Sequence, residues 1–196
     1  MLAPRLPWQD IRYLQTGNSR QRAAYRALQR LALFEVLRGY SPVLVGTIPI
    51  GADVPGSDLD VVCEAQDLVA FQRLLQDSFA QYAPFHVKNK VIKDTPSVVA
   101  NFRYAGFPIE VFGQPLPVTE QHAYRHMLVE ARLLKLGGAA ARREIRRLKR
   151  AGFKTEPAFA HYFGLEGDSF EVLLQLSWLS EAELRRRVQR QFTQDT

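Results

Sequence analysis

The chain has a single cysteine, Cys63, so no internal disulfide can form and a disulfide-stapled fold is excluded. Cys63 closes an apolar run, which marks it as a reduced structural thiol rather than a nucleophile. No stretch approaches the roughly eighteen apolar residues that a membrane-spanning helix needs. The N-terminal stretch MLAPRLPWQD lacks the charged and apolar regions of a signal peptide, so a cytoplasmic location without a membrane partner is expected. Internal repeats and low-complexity segments are missing as well. Acidic residues are the scarcer charge: 20 against 26 lysines and arginines, for a formal net charge of +6. That balance favours anionic partners such as nucleotide or RNA, without choosing between them. At 196 residues, with 46% hydrophobic and 23% charged, the chain can bury the core of one domain or two small ones.

What is present centres on VGTIPIGADVPGSDLDVV, from Val45 to Val62. A Gly-Thr turn at Gly46 and Thr47 leads into a loop expected to be flexible, with Gly51 and Gly56, and then into Asp58 and Asp60. On a β-strand alternate residues share a face, so the two aspartates point one way while Leu59 and Val61 enter the core. Two anions on one face repel, and a bridging divalent cation relieves them. Glu110, within FPIEVF and flanked by Ile109 and Val111, is the candidate third oxygen ligand. The plain alternative is that these aspartates punctuate a turn and that Thr47 and Ser57 bond nearby backbone.

This pattern resembles the signature of the DNA polymerase beta-like nucleotidyltransferase superfamily: an apolar residue, Gly, a hydroxyl residue, about ten residues, then Asp-apolar-Asp, and a carboxylate on a later strand. Here it reads Val45, Gly46, Thr47, then Asp58, Leu59, Asp60, and later Glu110, with Thr47 where the family usually has Ser. The longer strings IEVFGQPLPV, AYRHMLVEARLL and KTEPAFA also resemble an uncharacterised bacterial family called domain of unknown function 4269. The superfamily resemblance implies a nucleotidyltransferase-like mixed α/β (α+β) sheet with flanking helices. It implies Mg²⁺ or Mn²⁺ held by Asp58, Asp60 and Glu110, and a nucleotide approached by Gly46 and Thr47; Ser57 and Lys88 are further candidate nucleotide contacts. The implied reaction moves NMP from an NTP to a hydroxyl of an unknown small-molecule or RNA acceptor. The rival expectation is a non-catalytic RNA- or protein-binding module that retains the fold.

Periodicity and end signals predict a short helix over 8–14 and a longer one from Asn18 or Ser19 to about Arg38, closed by Gly39. Strands are predicted at 42–45, around 58–62, at 85–92, at 98–104 and around Glu110, the last two joined in a hairpin by Ala105-Gly106. Asp67 caps a predicted helix over 68–79. Beyond Pro115 and Pro117 only helices are expected: 119–136, ended by Gly137-Gly138, then 139–151, 156–163, 169–179 and 181–192, the last opened by a capping box at Ser180 and Glu183. The expected division is an α/β domain over 1–117 and an all-α bundle over 118–196.

Two further groups are candidates. His122, Arg125 and His126 lie on one predicted helix but lack the HExxH order of a zinc protease, so a role in phosphate or acceptor binding competes with plain exposure. The helix around Arg142, Arg146 and Arg150 carries six cations against Glu144 alone, with Ile145 and Leu148 marking its buried side. It reads either as a solvated face or as a contact for an anionic partner. Lys88 and Lys90 alternate on a strand and either meet a triphosphate or guard a sheet edge.

Overall fold

The computed structural model describes residues 8–192; residues 1–7 and 193–196, including most of the N-terminal stretch read above, lie outside the described residues. The chain divides into two compact units, one of residues 8–51 with 55–124, the other of 52–54 with the residues from 125 on.

The first unit opens with a 3-10 turn, Ile11–Thr16, because the Asp10 side chain accepts from the Arg12 amide and starts the turn three residues inside the predicted helix. Helix α1 spans Ser19–Arg30 and begins at a full capping box: Asn18 accepts from the Gln21 amide, and the Gln21 side chain accepts from the Asn18 amide. It does not run on to Arg38. Ala32 adopts a left-handed conformation (φ 52°), α2 is only Leu33–Val36, and Gly39 lies within a 3-10 turn, Arg38–Tyr40, instead of capping a helix. Burial explains the break. Positions 31 and 33 lie on opposite sides of a continuous helix at about 100° per residue, yet Leu31, Leu33 and Leu37 are all buried. A left-handed residue with a Cβ costs roughly 1–2 kcal/mol, and Ala32 is exposed. Ala32→Gly is therefore expected to raise the melting temperature by about 2–4 °C, the equivalent of ~1 kcal/mol in a chain of this length. A lower melting temperature would show that glycine's extra freedom in the unfolded chain outweighs the relieved strain.

Five strands form one mixed sheet in the order β1-β2-β5-β4-β3, with β1 Val43–Val45, β2 Leu59–Glu64, β3 His86–Ile92, β4 Thr95–Tyr104 and β5 Phe107–Gln114. Both hairpins, β3–β4 through Lys93-Asp94 and β4–β5 through Ala105-Gly106, turn on two residues with positive φ, the geometry that matches strand twist. The first was not anticipated, and β4 starts three residues earlier than predicted. The one parallel pair, β2 with β5, needs a long crossover, and the chain supplies it through α4, Leu68–Phe79, and the two hairpins. Asp67 caps α4 by accepting from the amides of Val69 and Ala70.

One sheet face carries Leu59, Val61, Ile109, Val111, Ala100 and Phe102 into a core shared with residues of α1 and α4, among them Leu28, Phe71, Leu75 and Phe79. Phe79 stacks on Phe102 at 5.1 Å, and a side chain at Gly113 would run into the Phe71 ring. This packing fixes which way the alternate residues of β2 and β5 point.

The second unit is helical. Helix α5 runs over His122–Arg150, starting after a 3-10 turn, Val118–Glu120, rather than at Thr119; its first turn belongs to the first unit. Gly138 (φ 62°, ψ −149°) interrupts it where the Gly-Gly pair predicted a stop. Then follow α6 Thr155–Phe163, α7 Ser169–Leu176 and α8 Glu181–Phe192. The capping box expected at Ser180 and Glu183 is present. Among the described residues no helix is long and apolar enough to cross a membrane.

Candidate active site

The carboxylates meet because β2 and β5 are parallel and in register: Asp60 pairs with Glu110, just as Leu59 pairs with Ile109 and Val61 with Val111. With the odd-numbered residues of both strands committed to the core, Asp60 and Glu110 must share the opposite face. The same cross-strand row runs from Val45 through Asp60, Glu110 and Asn101 to His86. Asp58 sits one residue before β2 and is exposed, while Asp60 and Glu110 are half-buried. Burial pushes the Glu110 carboxyl above the ordinary carboxylate range; the Lys90 charge opposes this, Asp58 adds to it, and a hydrogen bond from the Asn101 side chain opposes it again. Asp58 and Glu110 are thus electrostatic neighbours although 52 positions separate them in sequence.

Gly46 closes the other side of this group. Its backbone (φ 80°, ψ −155°) lies in a region open essentially to glycine alone, and a Cβ there would stand 2.6 Å from Asp60 Oδ2. Gly46→Ala is expected to cost about 1–3 kcal/mol, roughly 2–10 °C of melting temperature. It should also displace the Asp60 carboxylate, so that Mn²⁺ stabilises the variant less than the parent. An Ala variant with the parent's metal response would remove Gly46 from the site.

The loop after Gly46 is not the flexible segment expected. Thr47 starts a one-turn helix, α3 Thr47–Ile50, and residues 47–53 are buried, Thr47 itself at 8% exposure. Residues of α1 hold the loop: Gln21 Nε2 donates to the carbonyls of Ile48 (2.9 Å) and Pro49 (3.0 Å), and Arg20 donates to the Ser57 carbonyl (2.7 Å). From sequence, Asn18 reads only as a helix cap and Gln21 carries no signal of this role. Lys88 is exposed on the sheet-edge strand β3, paired with Val99; it is Lys90, two residues on, whose charge acts on Glu110.

The donor set suits a hard divalent cation, since all three candidate ligands are carboxylates and two share a row. As the side chains stand they do not form a closed cage: among the described residues no group of three or more His, Cys, Asp or Glu side chains is placed to hold a metal ion. Register pairs Asp60 with Glu110, and Asp58 precedes the first paired residue of β2, Leu59.

Within the second unit the other candidates have structural partners. His126 Nε2 donates to the Phe170 carbonyl (3.1 Å), its Nδ1 lies 3.3 Å from Glu156 Oε1, and the Arg125 guanidinium lies over the Trp178 ring. Arg146 pairs with buried Asp53 at 3.3 Å, and Arg147 with Glu144. The basic run is therefore not a uniform solvated face, for Arg146 is committed to the fold. Ile145 and Leu148 are buried as expected.

Residues 26–176 match the family described as Domain of unknown function (DUF4269). No curated protein matches the chain in sequence. Solved structures do resemble it: the poly(U) polymerase Cid1 with MgGTP bound, at 16% identity and a TM-score of 0.51, over 79% of this chain and 48% of that one. Cid1 with Mg 3′-dATP bound gives 15% identity and a TM-score of 0.52, over 85% and 53%. The chain thus spans about half the length of the structures it matches. At such identity the likeness shows the fold, a nucleotidyltransferase-like mixed sheet with flanking helices, as expected for the DNA polymerase beta-like superfamily.

Proposed function

The chain belongs to the DUF4269 family, and from that premise we propose that it is a metal-dependent nucleotidyltransferase that moves NMP from an NTP to a hydroxyl acceptor. The observation that carries this reading is the in-register pairing of Asp60 with Glu110 on parallel strands, with Gly46 backed against Asp60. Asp58, Asp60 and Glu110 would hold Mg²⁺ or Mn²⁺, which supplies charge neutralisation for a triphosphate and for the departing pyrophosphate. Gly46, without a side chain, lets phosphate approach the backbone; Thr47, Ser57 and Lys88 add polar contacts around it. The acceptor oxygen bonds to the α-phosphorus as the bond from that phosphorus to its bridging oxygen breaks. Pyrophosphate leaves, and the hydroxyl proton passes to Glu110. The protein contributes position and fixed charge rather than a covalent nucleophile. We assign this chemistry to residues 1–117 and treat 118–196 as a helical domain. Its basic helix around Arg142 and Arg150 offers a contact for an anionic acceptor.

The test is a screen of the protein with each of the four labelled NTPs and Mg²⁺ or Mn²⁺, with total cellular RNA or a pool of small hydroxyl compounds. Label appearing on an acceptor with matching pyrophosphate supports the reading. RNA binding without transfer under every condition replaces it with a non-catalytic binding module.

A further inference from the structure

The Glu110 side chain has three rotatable bonds, and a shared row by itself does not aim its carboxylate at Asp60. The residue opposite Glu110 on its other side is placed to restrain it. Asn101 of β4 is the direct cross-strand partner of Glu110, on the face that Asp60 shares, which brings its side-chain amide near enough to act on the Glu110 carboxyl. A carboxylate accepts, so the Asn101 amide nitrogen must be the donor. Asn is a poor strand former. It sits here in mid-strand between Phe102, buried in the core, and Ala100, also buried, while Asn101 itself is exposed and adds nothing to that core. Its contribution is therefore the contact it makes.

We propose that Asn101 is a positioning residue of the candidate metal site, holding the Glu110 carboxylate beside Asp60 so that a divalent cation meets two carboxylates already arranged. The proposal rests on the nucleotidyltransferase reading for its purpose, but it concerns the protein's affinity for the cation alone. Losing a partner that orients a ligating group typically weakens metal binding about 10- to 100-fold. Asn101 lies away from the core, so its replacement should leave the metal-free fold intact.

The experiment measures Mn²⁺ affinity by electron paramagnetic resonance, and metal-free melting, for the parent, Asn101→Ala, Asn101→Gln, Glu110→Gln and the double variant Asn101→Ala/Glu110→Gln. Asn101→Ala should bind Mn²⁺ about tenfold or more weakly with an unchanged metal-free melting temperature, and Asn101→Gln should recover part of the loss. In the Glu110→Gln background, Asn101→Ala should cost nothing further, because its effect runs through Glu110. A parent that binds Mn²⁺ through Asp60 and Glu110 while Asn101→Ala binds equally well overturns the positioning role and leaves the enzyme reading standing. A parent that binds no Mn²⁺, with or without nucleotide, overturns both.

Discussion

Asp60→Asn is expected to reduce nucleotidyl transfer by roughly 100- to 1000-fold, the usual cost of removing a fixed group that stabilises transition-state charge. The same variant should melt at or above the parent in the absence of metal. Two like charges about 4 Å apart repel by ~4 kcal/mol at an effective dielectric of 20, and Asp60 faces Glu110 across a single strand pairing with Asp58 close enough to act on the same carboxyl. Neutralising one of the three relieves that repulsion. Metal does the same for the parent: at a hundred times its dissociation constant it adds about 2.7 kcal/mol, roughly 5–10 °C in a chain of this length. Parent and variant therefore respond oppositely, one gaining from Mn²⁺ and the other from its own substitution. Thermal melting with and without Mn²⁺, alongside turnover, separates this from a purely structural aspartate. A structural aspartate would lose stability on substitution in both conditions.

Glu130→Gln is expected to stabilise the protein at neutral pH, by at least about 1 kcal/mol or ~2–4 °C. Glu130 is 3% exposed within the helical unit, and burial drives its carboxyl well above the ordinary range; Glu156 reinforces this and Lys149 opposes it. The folded state thus holds the proton more tightly than the unfolded chain does. Stability from this group is complete below the unfolded value of about 4.3 and is lost as pH rises through the folded value. Glutamine keeps the shape and drops the charge, so its advantage should be present at neutral pH and vanish near pH 4. Melting across that range checks the sign. A variant that melts lower at every pH would show that the ionised carboxylate is the form the fold requires.

Much of the fold was legible because its signals are local. Asp67 and Ser180 read correctly as caps because the bonds they make reach only two or three residues along the chain. Ala105-Gly106 read correctly because a two-residue turn with positive φ is a property of the turn itself. Asp60 and Glu110 could be placed on the face opposite the core from their alternation with apolar residues, whatever their strands pair with.

The sequence alone could not say that helix α1 would stop before Ala32, since that break follows from the burial of Leu31, Leu33 and Leu37 against a core built mostly from later residues. Nor could it say that Asn101 would stand opposite Glu110, that Lys90 rather than Lys88 would act on it, or that Gln21 would hold the carbonyls of Ile48 and Pro49. Arg146 looked like one cation of a solvated run until its partner, Asp53, appeared 93 positions away. What the sequence by itself determined were the chemical types of the candidate site and the elements that carry them, because periodicity and caps act over a few residues. The tertiary structure alone decided which of those groups touch, because strand order and register are set by how the whole apolar surface packs.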